Sequence, residues 1–201
     1  FWSVEEFKEF RKLITNDEIS YDLFFTIAFF TGMRMGEILA LNWYDVNLIT
    51  STIHVTKTAY FVNNVNHINS TKTRAGTRLI TINNKLTVML TDWKEKQEDL
   101  LKEFTKDTES LQIIQSTPIA ITKNMVDKKF KQILSRNNNL KKIRIHDLRH
   151  SHASLLINQG EDYLVVKERL GHASITTTID TYSHLYPSKQ KNLANKLDDI
   201  F

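Results

Sequence analysis

The chain has no cysteine, and only five glycines and two prolines among its 201 residues. The missing thiol excludes disulfides, Cys-containing zinc sites and thiol catalysis. So little glycine and proline argues against collagen-like, disordered or linker-rich organisation. No apolar run approaches the roughly 20 residues of a membrane span, and the opening Phe1-Trp2-Ser3-Val4-Glu5-Glu6 lacks the basic region of a signal peptide. What remains is an ordinary globular composition, 41% hydrophobic and 25% charged. That is enough chain for one domain, or two small ones, with a core of its own.

The net charge of +4 hides an uneven distribution. Residues 53–82 carry Lys57, Lys72, Arg74 and Arg78 with no acid, and residues 120–150 carry nine basic groups against two acidic ones. The rest of the chain is net acidic. A basic zone on an acidic body is the electrostatic footprint of a polyanion partner, although a solvated lysine-rich face gives the same count.

Hydrophobic spacing predicts a mainly α-helical α+β domain. Ser3-x-x-Glu6 is a capping box ahead of Val4, Phe7, Phe10 and Leu13 at helical spacing. A buried helix is expected over Tyr21–Thr31, ended by Gly32, and another over Met35–Leu41. Ser51–Thr56, Ala59–Val65 and Leu79–Ile82 predict one small three-stranded antiparallel sheet, with Asn63-Asn64 as a turn or bulge and Asn69–Thr77 as a polar connection. Helices are then expected over Asn84–Phe104, Thr122–Arg136, His146–Asn158, Tyr163–Leu170 and Ile175–Tyr182, with Gly160 and Gly171 as stops. A last amphipathic piece is expected over Leu193–Phe201.

Three polar clusters carry the chemistry. His146, Arg149 and His150 stand at i, i+3 and i+4 and share a helix face in an otherwise apolar segment. An arginine turned toward a core calls for an anion, and its planar fork matches a phosphate or a carboxylate. A metal reading of the two histidines fails: the acid of H-E-x-x-H is absent, and Arg149 puts a cation where the metal would sit. In Thr31-Gly32-Met33-Arg34-Met35-Gly36-Glu37, Arg34 lies between two glycines with Glu37 one turn later, placed to hold the guanidinium. In Leu170-Gly171-His172 through Thr181-Tyr182-Ser183-His184, Tyr182 follows His172 by ten residues and Arg149 by 33.

Taken together, these clusters resemble the tyrosine recombinases, or phage integrases, in the family's order from Phe1 to about Tyr186. Arg34 and Glu37 fill T-G-x-R-x-x-E-I-L-x-L. Lys72 fills K-T-x-x-G-x-R. His146 and Arg149 fill H-x-L-R-H, His172 fills L-G-H, and Tyr182 fills T-T-x-x-x-Y-x-H. The flavour is similar to integrases of Gram-positive temperate phages and conjugative transposons.

The resemblance implies a tyrosine-recombinase catalytic domain that cuts and rejoins DNA through a 3′-phosphotyrosyl link, without ATP, metal or other cofactor. It assigns Tyr182 as nucleophile, with His146 or His172 as its base. Arg34, Arg149 and His172 are assigned to the non-bridging oxygens, and Lys72 to the leaving oxygen as general acid or as a plain DNA contact. Glu37 is expected to orient Arg34, and His150 to stand behind the reacting groups. Lys57, Arg74, Arg78, Lys141, Lys142 and Arg144 are expected DNA contacts. The implied partners are double-stranded core sites, further protomers in a tetramer, and accessory DNA-bending or excision factors, all in the bacterial cytoplasm at the nucleoid, with no membrane.

Motifs fill the chain to Tyr182, and it lacks an initiator Met. Residues 1–201 are therefore expected to be a catalytic domain with a tail at about 187–201 and without the N-terminal DNA-binding domains. A chromosome-dimer resolvase shares this chemistry, as does a type IB topoisomerase, which the intact Leu170-Gly171-His172 disfavours. A non-catalytic DNA-binding fragment has no use for a tyrosine at this spacing.

Overall fold

Ser3 opens α1 (Val4–Lys12) with both halves of its capping box formed: Ser3 Oγ accepts from the Glu6 N–H at 3.2 Å, and Glu6 accepts from the Ser3 N–H at 2.7 Å. The helix buries Phe7 and Phe10. Phe7 stacks on Phe29 with centroids 4.0 Å apart, and Phe10 meets Phe25 edge-on. Such rings each contribute about 1.5–3 kcal/mol on burial. Trp2, just ahead, is pinned to the far end of the chain by donating its backbone N–H to Ser151 Oγ and its indole N–H to the Lys141 carbonyl.

The computed structural model describes residues 1–62, 65–71 and 74–183. After α1 come α2 (Ile19–Thr31) and α3 (Met35–Ala40), strands β1 (Val46–Asn47), β2 (Thr52–Val55), β3 (Lys57–Val62), β4 (Val65–Ser70) and β5 (Arg78–Thr81), and then α4 (Asn84–Leu101) and α5 (Lys123–Leu134). The chain closes with α6 (Asp147–Asn158), α7 (Tyr163–Leu170) and α8 (Ile175–Tyr182). No helix among the described residues is long and apolar enough to cross a membrane.

The α+β, mainly helical expectation holds, and so does a three-stranded antiparallel sheet, but its membership differs. The sheet runs β1-β2-β5, while β3 and β4 form a separate hairpin in register from Lys57↔Ser70 to Val62↔Val65. Two residues of β1 are too short a run to announce themselves, and Val65–Ser70 is too polar to read as a strand. The Asn63-Asn64 turn and the predicted Leu193–Phe201 helix lie outside the described residues. Val88 and Met125, apolar residues of α4 and α5, are exposed.

Two glycines set the site's framework. Gly32 ends α2 in the left-handed region at φ +66°. A Cβ on Gly36 would stand 2.5 Å from the Ala59 carbonyl, so its absence lets β3 lie directly across α3. One large core joins α1–α5 and the sheet. A smaller one under α6, α7 and α8 holds Ala153, Ile157, Val166, Leu170 and Tyr182. The α2–α3 turn and the start of α6 meet at the seam between them.

Candidate active site

Arg149 forms the floor. The start of α6 turns it inward until the residue is only 4% exposed, and among the described residues its guanidinium donates to no carboxylate. Nη1 donates to the Gly32 carbonyl and Nη2 to the Leu170 carbonyl, both at 2.7 Å. Burial and then the nearby Arg34 pull its pKa down to about 9, so at neutral pH it stays a cation, with no ion-pair partner among the described residues. Such a group favours an incoming anion.

Arg34 and Glu37 form the wall. Arg34 caps α3, and Glu37 accepts both its backbone N–H and its Nη1 at 2.9 Å. Glu37 also accepts from Arg78, Nη2 at 2.8 Å and Nη1 at 3.2 Å. Burial pushes the Glu37 carboxyl up. The Arg78 hydrogen bonds and charge, helped by Arg34, overcome that and leave it below the usual carboxylate value. Glu37 thus bonds Arg34, the residue it is expected to orient, and Arg78 as a second guanidinium.

That arrangement corrects one expectation. Arg78 was expected on DNA, but its side chain is 7% exposed and all three nitrogens are engaged internally, on Glu37, the Gly76 carbonyl and the Arg169 carbonyl. Lys57 is likewise paired with Asp45 at 2.9 Å. Lys141 reaches the Phe1 carbonyl from an exposed position. Lys142 is exposed. Arg144 pairs with Asp147 but remains open to solvent. Lys72 and the Arg74 side chain lie outside what the structure describes.

The histidines and tyrosine complete the site. Tyr182, on the last turn of α8, is buried, and burial raises its phenol pKa against the opposing pull of Arg149. Its hydroxyl lies 2.8 Å from Nδ1 of His150. The phenol's partner is thus neither His146 nor His172, the two expected from sequence. His146 touches His150 edge-on at 5.1 Å between ring centroids and stays exposed. His150 has its pKa lowered by burial and then by His146, which favours its neutral form. His172 sits 2.8 Å from Thr178 Oγ1, with its pKa drawn down to about 4 by burial and then by Arg149 and Arg34. Sequence reasoning passed over Arg169 and Thr178. The signal available for Arg169 was a basic residue in the last turn of a helix ended by Gly171.

Fixed guanidinium charge, neutral imidazoles and a phenol converging at one seam of a mainly helical domain make chemistry suited to a phosphodiester. The chain belongs to the phage integrase family, whose profile matches residues 3–189. It is 44% identical over 201 residues to the ICEBs1 integrase of Bacillus subtilis, covering all of this chain and 54% of that one. The chain thus spans about half the length of that relative. Its fold matches the Tn1549 transposon integrase, solved in complex with transposon right-end DNA, with a TM-score of 0.79 at 18% identity over 100% of this chain and 65% of the other. The catalytic domain of bacteriophage HP1 integrase matches with a TM-score of 0.61 at 21% identity, over 98% and 93% of the two chains.

Proposed function

We propose that residues 1–201 are the catalytic domain of a site-specific recombinase that integrates and excises a mobile element. The observation that carries this reading is the Tyr182 hydroxyl on His150, beside an arginine that the described residues hold by backbone carbonyls rather than by a carboxylate. Tyr182 attacks the scissile phosphorus, the P–O bond to the phenol forms and the bond to the 5′ oxygen breaks. The phenolic proton passes to His150 Nδ1, which Tyr182 needs because burial raises its own pKa. Arg149 and Arg34 take the non-bridging oxygens. His172, whose Nδ1 lies 2.8 Å from Thr178 Oγ1, serves as a further donor through a proton on Nε2. Lys72 protonates the leaving 5′ oxygen. The reverse reaction with a second strand's 5′ hydroxyl rejoins the DNA, one phosphodiester exchanged for another.

Double-stranded core sites are the substrate, and several protomers, four in a full synapse, act together on them in the bacterial cytoplasm. Lys141, Lys142 and Arg144, exposed ahead of α6, meet phosphates and fix register rather than reading sequence. DNA-contacting domains outside residues 1–201 complete the grip. The ICEBs1 integrase and the DNA-bound Tn1549 integrase support this reading.

A nicked suicide substrate carrying the element's own core site tests it. The expected result is an SDS-resistant protein–DNA band in the presence of chelator, lost in Tyr182→Phe. No band from the wild type on a cognate site defeats the proposal.

A further inference from the structure

The C-terminal end of α2 receives three side chains in succession. An α-helix leaves its last carbonyls without intrahelical donors and carries partial negative charge there. The Phe29 carbonyl accepts from His152 Nδ1 at 2.9 Å, the Phe30 carbonyl from Arg169 Nη2 at 3.0 Å, and the Gly32 carbonyl from Arg149 Nη1 at 2.7 Å. The first two donors are bonded to each other, because Arg169 Nε donates to His152 Nε2 at 3.0 Å. Arg169 Nη1 also reaches the Thr81 carbonyl at the end of β5.

This pairing has one consistent protonation. His152 must be neutral, with its proton on Nδ1 and a lone pair on Nε2 for Arg169. Burial and then the Arg169 charge hold its pKa down to about 3, which keeps it so. Its ring packs on Gly32, where a Cβ would come within 2.6 Å of Cδ2.

The second carbonyl holding Arg149 belongs to Leu170, the neighbour of Arg169. The Arg169 carbonyl itself accepts from Arg78, which holds Glu37 and through it bears on Arg34. The orientation of Arg149 depends on the spacing of two carbonyls, Gly32 at the end of α2 and Leu170 at the end of α7. Arg169, carried by α7 and donating to the Phe30 carbonyl of α2, ties these two ends together independently of Arg149.

We propose that Arg169, seated on neutral His152, is a positioning residue that sets the plane of the Arg149 guanidinium. It touches no reacting atom and acts through the spacing of the Gly32 and Leu170 carbonyls. Lysine in its place offers one compact ammonium, which does not span His152, Phe30 and Thr81 as the guanidinium fork does.

The first test needs no DNA. In ¹⁵N spectra of the chain's arginine side chains, Arg149 shows separate, slowly exchanging Nη–H signals, identified by their loss in Arg149→Lys. In Arg169→Lys those signals merge while the backbone amide spectrum stays folded. Unchanged Arg149 signals in a folded Arg169→Lys overturn the proposal. If that variant does not fold, His152→Gln and His152→Leu ask the same question. Gln offers one donor and one acceptor and retains the Arg149 signals, Leu loses them, and equal behaviour of the two overturns the proposal.

The second test rests on the strand-transfer reading above. Arg169→Lys lowers single-turnover cleavage by about 10²-fold, the cost of misplacing a reacting group by roughly an ångström, with DNA affinity unchanged. The defect shrinks on a scissile methylphosphonate, whose missing charge removes the demand on Arg149, whereas a general loss of stability would persist on both substrates. A defect of the same size on both therefore counts against positioning. A wild type that cleaves neither sinks the strand-transfer reading and leaves the spectra to decide the positioning.

Discussion

The two arginines of the site are held in opposite ways. Arg149 on the floor rests on two neutral carbonyls and keeps its full charge in a buried place. Arg34 on the wall shares the Glu37 carboxylate with Arg78, and its side chain remains 42% exposed. A charge fixed by dipoles is pre-aimed and, among the described residues, has no ion-pair partner, so it stays open to an arriving phosphate. A charge fixed by a carboxylate is partly neutralised, and exposure leaves it free to adjust. The floor supplies aim and the wall supplies reach.

Glu37→Gln breaks the wall most severely. It leaves Arg78 buried without its anion, and the expected cost is about 3–5 kcal/mol of unfolding free energy in urea titrations. If the variant stays near wild type, the wall is not held by charge. Arg149→Ala acts on the floor. It should slow single-turnover cleavage by roughly 10²–10³-fold with a smaller effect on DNA binding, and Arg149→Lys should recover little because one ammonium does not reach both carbonyls. His150→Ala removes the phenol's partner and should cost at least about 10²-fold in cleavage. An equal effect from His146→Ala with none from His150→Ala would return the base to the residue expected from sequence.

Acid sharpens the contrast next. His152 and His172 have folded pKa values of about 3 and about 4 against an ordinary 6.5, so they stay neutral in the fold. Below the ordinary value the unfolded chain takes up protons that the folded chain refuses. Their contribution to stability is complete above about pH 6.5 and falls as the pH drops toward their folded values. Urea midpoints should therefore decline through this window, and His152→Gln should flatten the decline. Smallest of all, Lys142→Ala should weaken DNA binding evenly across sequences and reduce the salt slope by about one.

The same contrast separates what the sequence reveals from what it conceals. Helices α7 and α8 fall where spacing places them, because Asp162, Gly171 and Ser174 cap them locally. Glu37 beside Arg34 was legible as an i, i+3 pair. The wall's other half was not: Arg78 reads as an exposed basic residue, and its partner lies 41 positions away. The floor was legible as a buried arginine, but its partners are backbone carbonyls, which every residue has and no motif marks. The His150–Tyr182 pair spans 32 positions and depends on how α8 packs on α7 and α6, a tertiary matter. The separate β3–β4 hairpin was hidden because register and hairpin closure, not hydrophobic alternation, define Val65–Ser70.

In the proposed reaction Tyr182 is the group that becomes joined to DNA. Trapping the wild-type chain on a suicide substrate, digesting it with nuclease and trypsin, and fragmenting the Leu170–Lys189 peptide by mass spectrometry locates the adduct directly. The account predicts a nucleotide on Tyr182. A nucleotide on Tyr186 of the same peptide, or on any other residue, would contradict it.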